Sequence, residues 1–594
     1  MAKKPKGKKQ QRASRWAFIE SPAVLWFCAV ILVLAVVPWY PTLQGDYDMW
    51  WHLRYGQHFV TQGTFQIDHS AYSWTPAPRP WVCGSWLGSS LFYFIYVFWG
   101  IMGLMAAKWL VYLAMFLLLL AIVRLSGRRL DLACIMAFVL IAAAYKLNGT
   151  YIRPERFSNL LFVATAFLYF AGRLTGRSLF WLFPLVILLW TNVHGGFIVG
   201  LLFITLALAG EALDFFARKK GDAGRLRGLA LSVLASYAVT LINPEGIRYH
   251  FDLFQSLSGT GTYEPVEGFT IKEYRSLWRY IFTGSDLANP LIRLTPISMV
   301  IMGALHGAAA LMAYRQKKYL DLSLTLMNAV FFVFGLQVAR AVVYYPFVWF
   351  FSTVCLLSES KVSIQGFMPW ALAIFLCFAA FMGYDTLTSA LHTDWQGSPG
   401  HDFVPEEEAR FISTWGLPAP LYNDYLSGGY LLWALYPSYK VFLDPRGAPY
   451  DLQFFGEAER FASNPSAGAL EALQRKYPFR TALVHRTKQK VLLAFLQSPQ
   501  WRPLYFHKNA IVLVRKEDFD ALPPGAKNVD LSPERYRDEK NPQVLDWAFG
   551  MCGNPSDGAK IYRYYCRNVS DLYRHKKTIV RMMEENLRNR GYTP

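Results

Sequence analysis

The sequence predicts a polytopic α-helical membrane protein of about eleven spans with a C-terminal extracytoplasmic α/β domain. Three observations predict it. Of the 594 residues, 54% are hydrophobic and only 17% are charged, whereas a typical soluble chain carries about 25% charged residues. Apolar runs of span length recur from residue 22 to residue 384, and a bilayer span needs about 20 such residues. From about Leu391 charged and turn residues return and the apolar runs shorten to strand length. The expected division is therefore a basic cytoplasmic arm over residues 1–21, a membrane module over 22–390 and a periplasmic α/β domain over 391–594.

The arm contains Lys3, Lys4, Lys6, Lys8, Lys9, Arg12 and Arg15 and no acid. A formal charge of +19 invites a nucleic-acid reading, but the position of the charge matters more than its sum. The excess lies in the arm and in short links between apolar runs, so no nucleic-acid partner is expected. A solvated tail and a tail lying on anionic lipid, where each basic residue adds about 1 kcal/mol, both suit the arm.

The runs Pro22 to Trp39, Ile101 to Val123, Leu132 to Leu147, Asn159 to Gly172, Leu179 to Val193, Phe197 to Phe216, Leu229 to Ile242, Thr295 to Tyr314, Leu320 to Val338, Val342 to Leu357 and Phe367 to Tyr384 supply the spans. No small-x-small cleavage site follows the first, so it reads as an uncleaved span. The run Ser85 to Gly100 is read as interfacial, because only then do the links at Arg124 to Arg129, Arg173 to Arg177, Arg218 to Arg227 and Arg315 to Lys318 all fall on the cytoplasmic side, as the positive-inside rule requires. The expected location is a bacterial inner membrane, with the N-terminus cytoplasmic.

This topology gathers the outer loops 41–100, 148–157 and 243–293, the turn at His194 and the C-terminal domain on one face. Long polar loops on one side of a bundle put the chemistry there. No phosphate loop or dinucleotide fingerprint is present, which argues against ATP as the direct energy source.

In the C-terminal domain, strand-like runs (Pro420 to Asn423, Lys440 to Leu443, Thr481 to Val484, Pro503 to Phe506 and Ala510 to Val514) alternate with helical stretches. That alternation predicts a mostly parallel sheet ending in an antiparallel hairpin. Two turn-rich motifs, Asn423 to Tyr430 and Asp444 to Gly447, fall at expected strand ends, where open sheets bind ligands; structural turns use the same residues. Cys552 and Cys566 lie in a polar stretch that topology places in an oxidising compartment, and a disulfide is expected between them, worth about 3 kcal/mol.

The most informative stretch is Gly45-Asp46-Tyr47-Asp48-Met49-Trp50-Trp51-His52-Leu53-Arg54-Tyr55-Gly56. Two carboxylates stand at the outer end of the first span, followed by a run that reads as an interfacial helix anchored by aromatic rings. Carboxylates there can act as a general base or hold a divalent cation; they can equally cap the helix. A second stretch, Asn148-Gly-Thr-Tyr-Ile-Arg153-Pro-Glu155, lies in the next outer loop. Together these stretches resemble the GT-C glycosyltransferases, among them protein O-mannosyltransferases, lipid A aminoarabinose transferases and oligosaccharyltransferase catalytic subunits, over roughly the first 200 residues.

The resemblance implies a GT-C-like fold and inverting transfer of a sugar from a polyprenyl-phosphate donor to a lipid, glycan or protein acceptor. It implies Asp46 as the base that deprotonates the acceptor hydroxyl, with Asp48 as the alternative base or a metal-holding partner. Arg54 and Arg153 would neutralise the lipid phosphate, for which the planar guanidinium fork is suited. Glu155 would orient an arginine or, with Asp48, hold a cation; a divalent cation is the one cofactor considered.

From the residues themselves, Arg340 stands out because an arginine flanked by apolar spans must face a cavity or an anion. His194, beside Gly195 and Gly196, and His52 are candidates for the substrate groove, although a buried histidine is often structural. Glu245, Arg248, His250, Glu264, Glu267, Lys272 and Arg275 could line a groove or be solvated loop charge. A lipid or glycan transporter and a non-catalytic periplasmic scaffold are the alternatives to an enzyme.

Overall fold

The structure, a computed structural model, describes residues 47–78, 81–128, 131–145, 152–219, 221–258, 290–317, 320–358, 404–507, 509–527, 532–540, 542–552, 554–571 and 576–592, with short pieces at 21, 23–24, 26–27, 276–277, 373, 377 and 380. Apart from those short pieces the first and last expected spans lie outside the described residues, as do Asp46, Glu264, Glu267, Lys272 and Arg275.

Helix α1, Asp48–Gln62, opens the described chain and buries Met49, Trp50, Trp51, Leu53, Tyr55 and Phe59. It stops at Gly63, whose φ of +62° is a left-handed cap that glycine adopts without a Cβ penalty. Helix α2, Trp86–Leu125, runs the expected interfacial stretch into the following span and breaks at Gly100, where φ is +59° and ψ −155°. The first half of α2 lies along α1 so closely that a Cβ on Gly56 would sit 2.1 Å from the Ser89 carbonyl oxygen.

The bundle continues through α3 (Leu132–Tyr145), α4 (Glu155–Thr175), α5 (Phe183–Val193), α6 (Phe197–Arg218), α7 (Ala223–Val239), α8 (Ile247–Ser258), α9 (Pro290–Lys317), α10 (Leu322–Gln337) and α11 (Tyr345–Ser358). Among the described residues, five helical stretches are long and apolar enough to cross a membrane: Trp86–Leu125, Glu155–Thr175, Phe197–Ala217, Thr295–Gln316 and Ala339–Ser358. Two shorter ones, Leu179–Val193 and Leu322–Gln337, are also apolar. Aromatic and aliphatic side chains such as Phe162, Phe203, Phe331 and Phe351 fill the interior, while Trp99, Leu110, Leu117, Leu185, Phe216 and Leu234 point outward. So much outward apolar surface suits a lipid environment.

The C-terminal domain comprises α12 (Glu406–Trp415), β1 (Leu421–Asn423), α13 (Tyr425–Leu435), α14 (Leu452–Ser463), α15 (Ala467–Lys476), β2 (Thr481–His485), α16 (Gln489–Gln497), β3 (Trp501–Phe506), β4 (Ala510–Arg515), α17 (Lys516–Ala521), α18 (Pro542–Met551), α19 (Pro555–Asn568) and α20 (Lys576–Asn589). Its sheet has the order β1-β2-β4-β3. Only β1 and β2 run parallel, with Leu421 opposite Thr481; β2–β4 and the β3–β4 hairpin are antiparallel. The sheet is mixed rather than mostly parallel because Lys440 to Leu443 does not join it. Phe442 N–H donates instead to Asn423 Oδ1 at 2.8 Å, and Val441 forms a lone parallel bridge with Ser73 of the loop between α1 and α2.

The expected disulfide does not form: Cys552 and Cys566 are both free thiols. Cys552 follows α18 and lies opposite Gly558, whose added Cβ would be 3.9 Å from the Cys552 Cβ. Cys566 stands eight residues further along α19, about 12 Å away at 1.5 Å per residue, whereas a disulfide needs Cα atoms within about 7 Å.

Candidate functional site

Asp48 is the first residue of α1, where a carboxylate meets the positive end of the helix dipole. Its Oδ1 accepts a hydrogen bond from Trp51 Nε1 at 3.2 Å, and its Oδ2 lies 3.0 Å from Arg153 Nη1. Arg153 precedes α4, whose first residue is the buried Glu155. Glu155 Oε2 accepts from Arg340 Nη2 at 3.1 Å, and its Oε1 lies 3.7 Å from Arg156. Arg340 arrives on a 3-10 turn, Ala339–Val343, between α10 and α11. The start of α1, the segment that leads into α4 and the α10–α11 junction thus converge on alternating carboxylates and guanidinium groups.

Both candidate histidines border this cluster. His52, one turn along α1 from Asp48, stacks on Trp51 with ring centroids 3.6 Å apart and shares a 2.9 Å hydrogen bond between Nδ1 and Ser89 Oγ. Burial holds it well below its ordinary pKa, with His194 and Arg153 adding to the effect. His194 Nδ1 accepts from Gly196 N–H at 3.0 Å, which leaves the proton of the neutral ring on Nε2. Its pKa falls to about 4 through burial and the cations Arg340, Arg156 and Arg153, against the opposing pull of Glu155. Gly196 is required there, since a Cβ would lie 2.3 Å from Ser158 Oγ.

Arg54 does not join the cluster. Its guanidinium lies 4.4 Å above the Tyr436 ring of the C-terminal domain and donates to Gln57 Oε1 at 2.6 Å. His250 is engaged with Thr240 Oγ1 at 2.8 Å, while Glu245 and Arg248 pair at 3.4 Å at the rim of an outer cavity. Asp48 and Glu155 are each engaged by arginine. Among the described residues no group of three or more histidine, cysteine, aspartate or glutamate side chains could hold a metal ion.

The two C-terminal motifs are structural rather than ligand-facing. Asp424 caps α13 through Leu426 and Ser427 N–H and accepts from His485 N–H at 2.8 Å. Asp444 and Arg446 form a wholly buried pair at 2.6 Å. The sequence motif marks turn chemistry but not its destination, which is the start of α1. A Cβ on Gly429 would sit 2.3 Å from the Tyr47 carbonyl oxygen, and Tyr430 packs edge-on against Trp50 at 4.8 Å. Tyr425, unremarkable in sequence, is near enough that Asp48 and Asp444, after burial, help to keep its hydroxyl protonated.

No family model matches the chain, and no curated protein sequence matches it. Solved structures similar to it include the archaeal oligosaccharyltransferase AglB from Archaeoglobus fulgidus in complex with an inhibitory peptide and a dolichol-phosphate, at 12% identity and a TM-score of 0.44, covering 79% of this chain and 70% of that one. ArnT from Cupriavidus metallidurans in the apo state is similar at 13% identity and a TM-score of 0.47, covering 83% and 98%. The arabinofuranosyltransferase AftD from Mycobacteria is similar at 13% identity and 0.46, covering 83% of this chain and 40% of that one.

Proposed function

We propose that the chain is a membrane glycosyltransferase that moves a sugar from a polyprenyl-phosphate donor to an acceptor on the outer face of a bacterial inner membrane. The observation that carries this reading is the pairing of Asp48 with Arg153 at 3.0 Å and of Glu155 with Arg340 at 3.1 Å at one end of an apolar bundle. Arginine exchanges a carboxylate for a phosphate without changing its geometry, because both present oxygens to the same fork. In this reading the donor phosphate draws Arg153 and Arg340 to itself, and Asp48 is released beside the anomeric carbon.

The acceptor hydroxyl oxygen then attacks that carbon from the face opposite the phosphate. The bond between the carbon and the phosphate oxygen breaks, and its electron pair leaves on the phosphate, held by the guanidinium groups. The hydroxyl proton passes to an aspartate carboxylate, Asp46 or Asp48, giving inversion. Charge stabilisation of the departing phosphate supplies most of the rate. His52 and His194, both neutral at pH 7, border the sugar site as hydrogen-bonding groups.

The test uses purified protein, a polyprenyl-phosphate-linked sugar and release of polyprenyl phosphate as the readout. Asp46→Asn and Asp48→Asn are expected to bind the donor while at least one loses turnover by about a hundredfold or more, the scale of general base catalysis. Full turnover in both variants would remove the proposed base. A non-catalytic transporter is disfavoured by the crowding of ionisable groups at one end of the bundle.

A further inference from the structure

We infer that the cavity between the first outer loop and the start of α8 seats a short neutral oligosaccharide, which would serve as the acceptor. Only the word acceptor rests on the transfer reading above; the binding itself does not. The cavity has a volume of about 780 Å³ and includes Phe65, Gln66, Asp68, Trp81, Glu245 and Arg248 in its lining. That volume falls in the range that takes a drug-sized ligand.

The chemistry of the lining selects the ligand class. A sugar offers apolar C–H faces and a fringe of hydroxyls that both donate and accept, so its site needs a flat ring among donors and acceptors of both kinds. Phe65 is 46% exposed and is held edge-on by Trp86 at 4.8 Å, a fixed aromatic platform at the cavity wall. The Gln66 amide donates and accepts, the Asp68 and Glu245 carboxylates accept, and the exposed Arg248 donates. The signs are mixed: Arg248 faces Glu245 at 3.4 Å, so no cluster of cations invites a phosphate. The polar lining equally disfavours a lipid chain.

Position supports the same occupant. Trp81, in the cavity wall, packs against Trp51 at 5.6 Å, and Trp51 donates to Asp48. The cavity therefore ends one aromatic ring from the carboxylate cluster. The Trp81 backbone in that wall is tied down, since His69 Nε2 donates to its carbonyl at 2.8 Å.

The experiment is saturation-transfer NMR on the purified full-length protein with maltotetraose, mannotetraose and chitotetraose as separate probes, and tetra-alanine as the peptide probe. At least one oligosaccharide is expected to bind. Phe65→Ala and Gln66→Ala, which alter surface side chains rather than the core, are each expected to weaken it by about fivefold or more, the scale of one stacked ring for Phe65 and of one hydrogen bond for Gln66. Binding of none of the three, binding of tetra-alanine alone, or affinities unchanged in both variants would overturn the inference. Donor binding is measured in parallel: oligosaccharide binding without donor binding would remove the transferase reading and leave the saccharide site standing.

Discussion

Arg446 Nη1 donates to the Tyr55 hydroxyl at 2.9 Å, joining the C-terminal domain to the helix that carries Asp48. Arginine has no acceptor, so the direction of the whole chain follows: the Tyr55 oxygen accepts from Arg446, its O–H donates to His69 Nδ1 at 2.7 Å, and His69 Nε2–H donates to the Trp81 carbonyl. Arg446 is fixed in turn by two bonds to Asp444, at 2.7 and 2.6 Å, and Asp444 also accepts from Tyr450. A buried charge pair of this kind gives little net stability intact but costs about 3–5 kcal/mol when one partner is lost.

Arg446→Met is therefore expected to destabilise the protein by about 3–5 kcal/mol, and Tyr55→Phe by about 1–3 kcal/mol, because His69 Nδ1 is left buried without its donor. Combining Arg446→Met with Asp444→Asn should cost less than the sum of the two single changes. Chemical denaturation of the four proteins checks this, and additive losses would show that the pair is not coupled.

Gly429→Ala is expected to push α13 away from the start of α1, because its Cβ would meet the Tyr47 carbonyl oxygen at 2.3 Å and backbone cannot rotate aside. Overpacking costs about 1–3 kcal/mol. Donor turnover should fall together with the melting temperature, whereas Gly468→Ala, in the first turn of α15 with open space around its Cβ, should leave turnover unchanged and keep or raise the melting temperature.

The domain contact is also sensitive to acid. Burial, with Arg446 beside it, lowers the His69 pKa to about 4 against the pull of its bond to Trp81 and of Asp68, while the unfolded chain titrates near 6.5. Between those values the unfolded state binds the extra proton, so stability is full above about pH 6.5 and falls as the pH drops toward 4. The span corresponds to about 3 kcal/mol. His69→Asn should lower stability at pH 7 and flatten the decline below it; a slope equal to that of the parent protein would assign the acid sensitivity elsewhere.

Cys552 and Cys566 are free thiols. Denatured under non-reducing conditions, the protein should take up a maleimide at both positions, identified by peptide mass. A peptide pair linked through these cysteines would contradict the helix register that separates them.

Local patterns carried much of this architecture. The apolar runs from Leu132 to Leu357 became helices with nearly the expected limits, because an apolar stretch of such length has few other ways to satisfy its backbone. Arg340 was recognisable as a charge that apolar surroundings must compensate, Arg153 and Glu155 only through the resemblance, and the structure brings the three together. The place of Arg54 was not legible, because the Tyr436 ring it lies over is almost four hundred residues away and leaves no trace in local sequence. The same holds for the strand expected at Lys440 to Leu443: Val441, Phe442 and Leu443 are all buried, but the Asn423 side chain takes the ladder bond of Phe442. The disulfide failed because two cysteines in one polar stretch say nothing of the helix that intervenes.

The most direct test of the cluster is the binding of polyprenyl phosphate to the purified protein and to Arg153→Ala, Arg340→Ala and Arg54→Ala. If the outer-end arginines hold the lipid phosphate, the first two variants lose at least about tenfold in affinity, roughly 1.4 kcal/mol, and Arg54→Ala binds as the parent does. Equal binding by all four proteins, or a loss confined to Arg54→Ala, would contradict the assignment of the site.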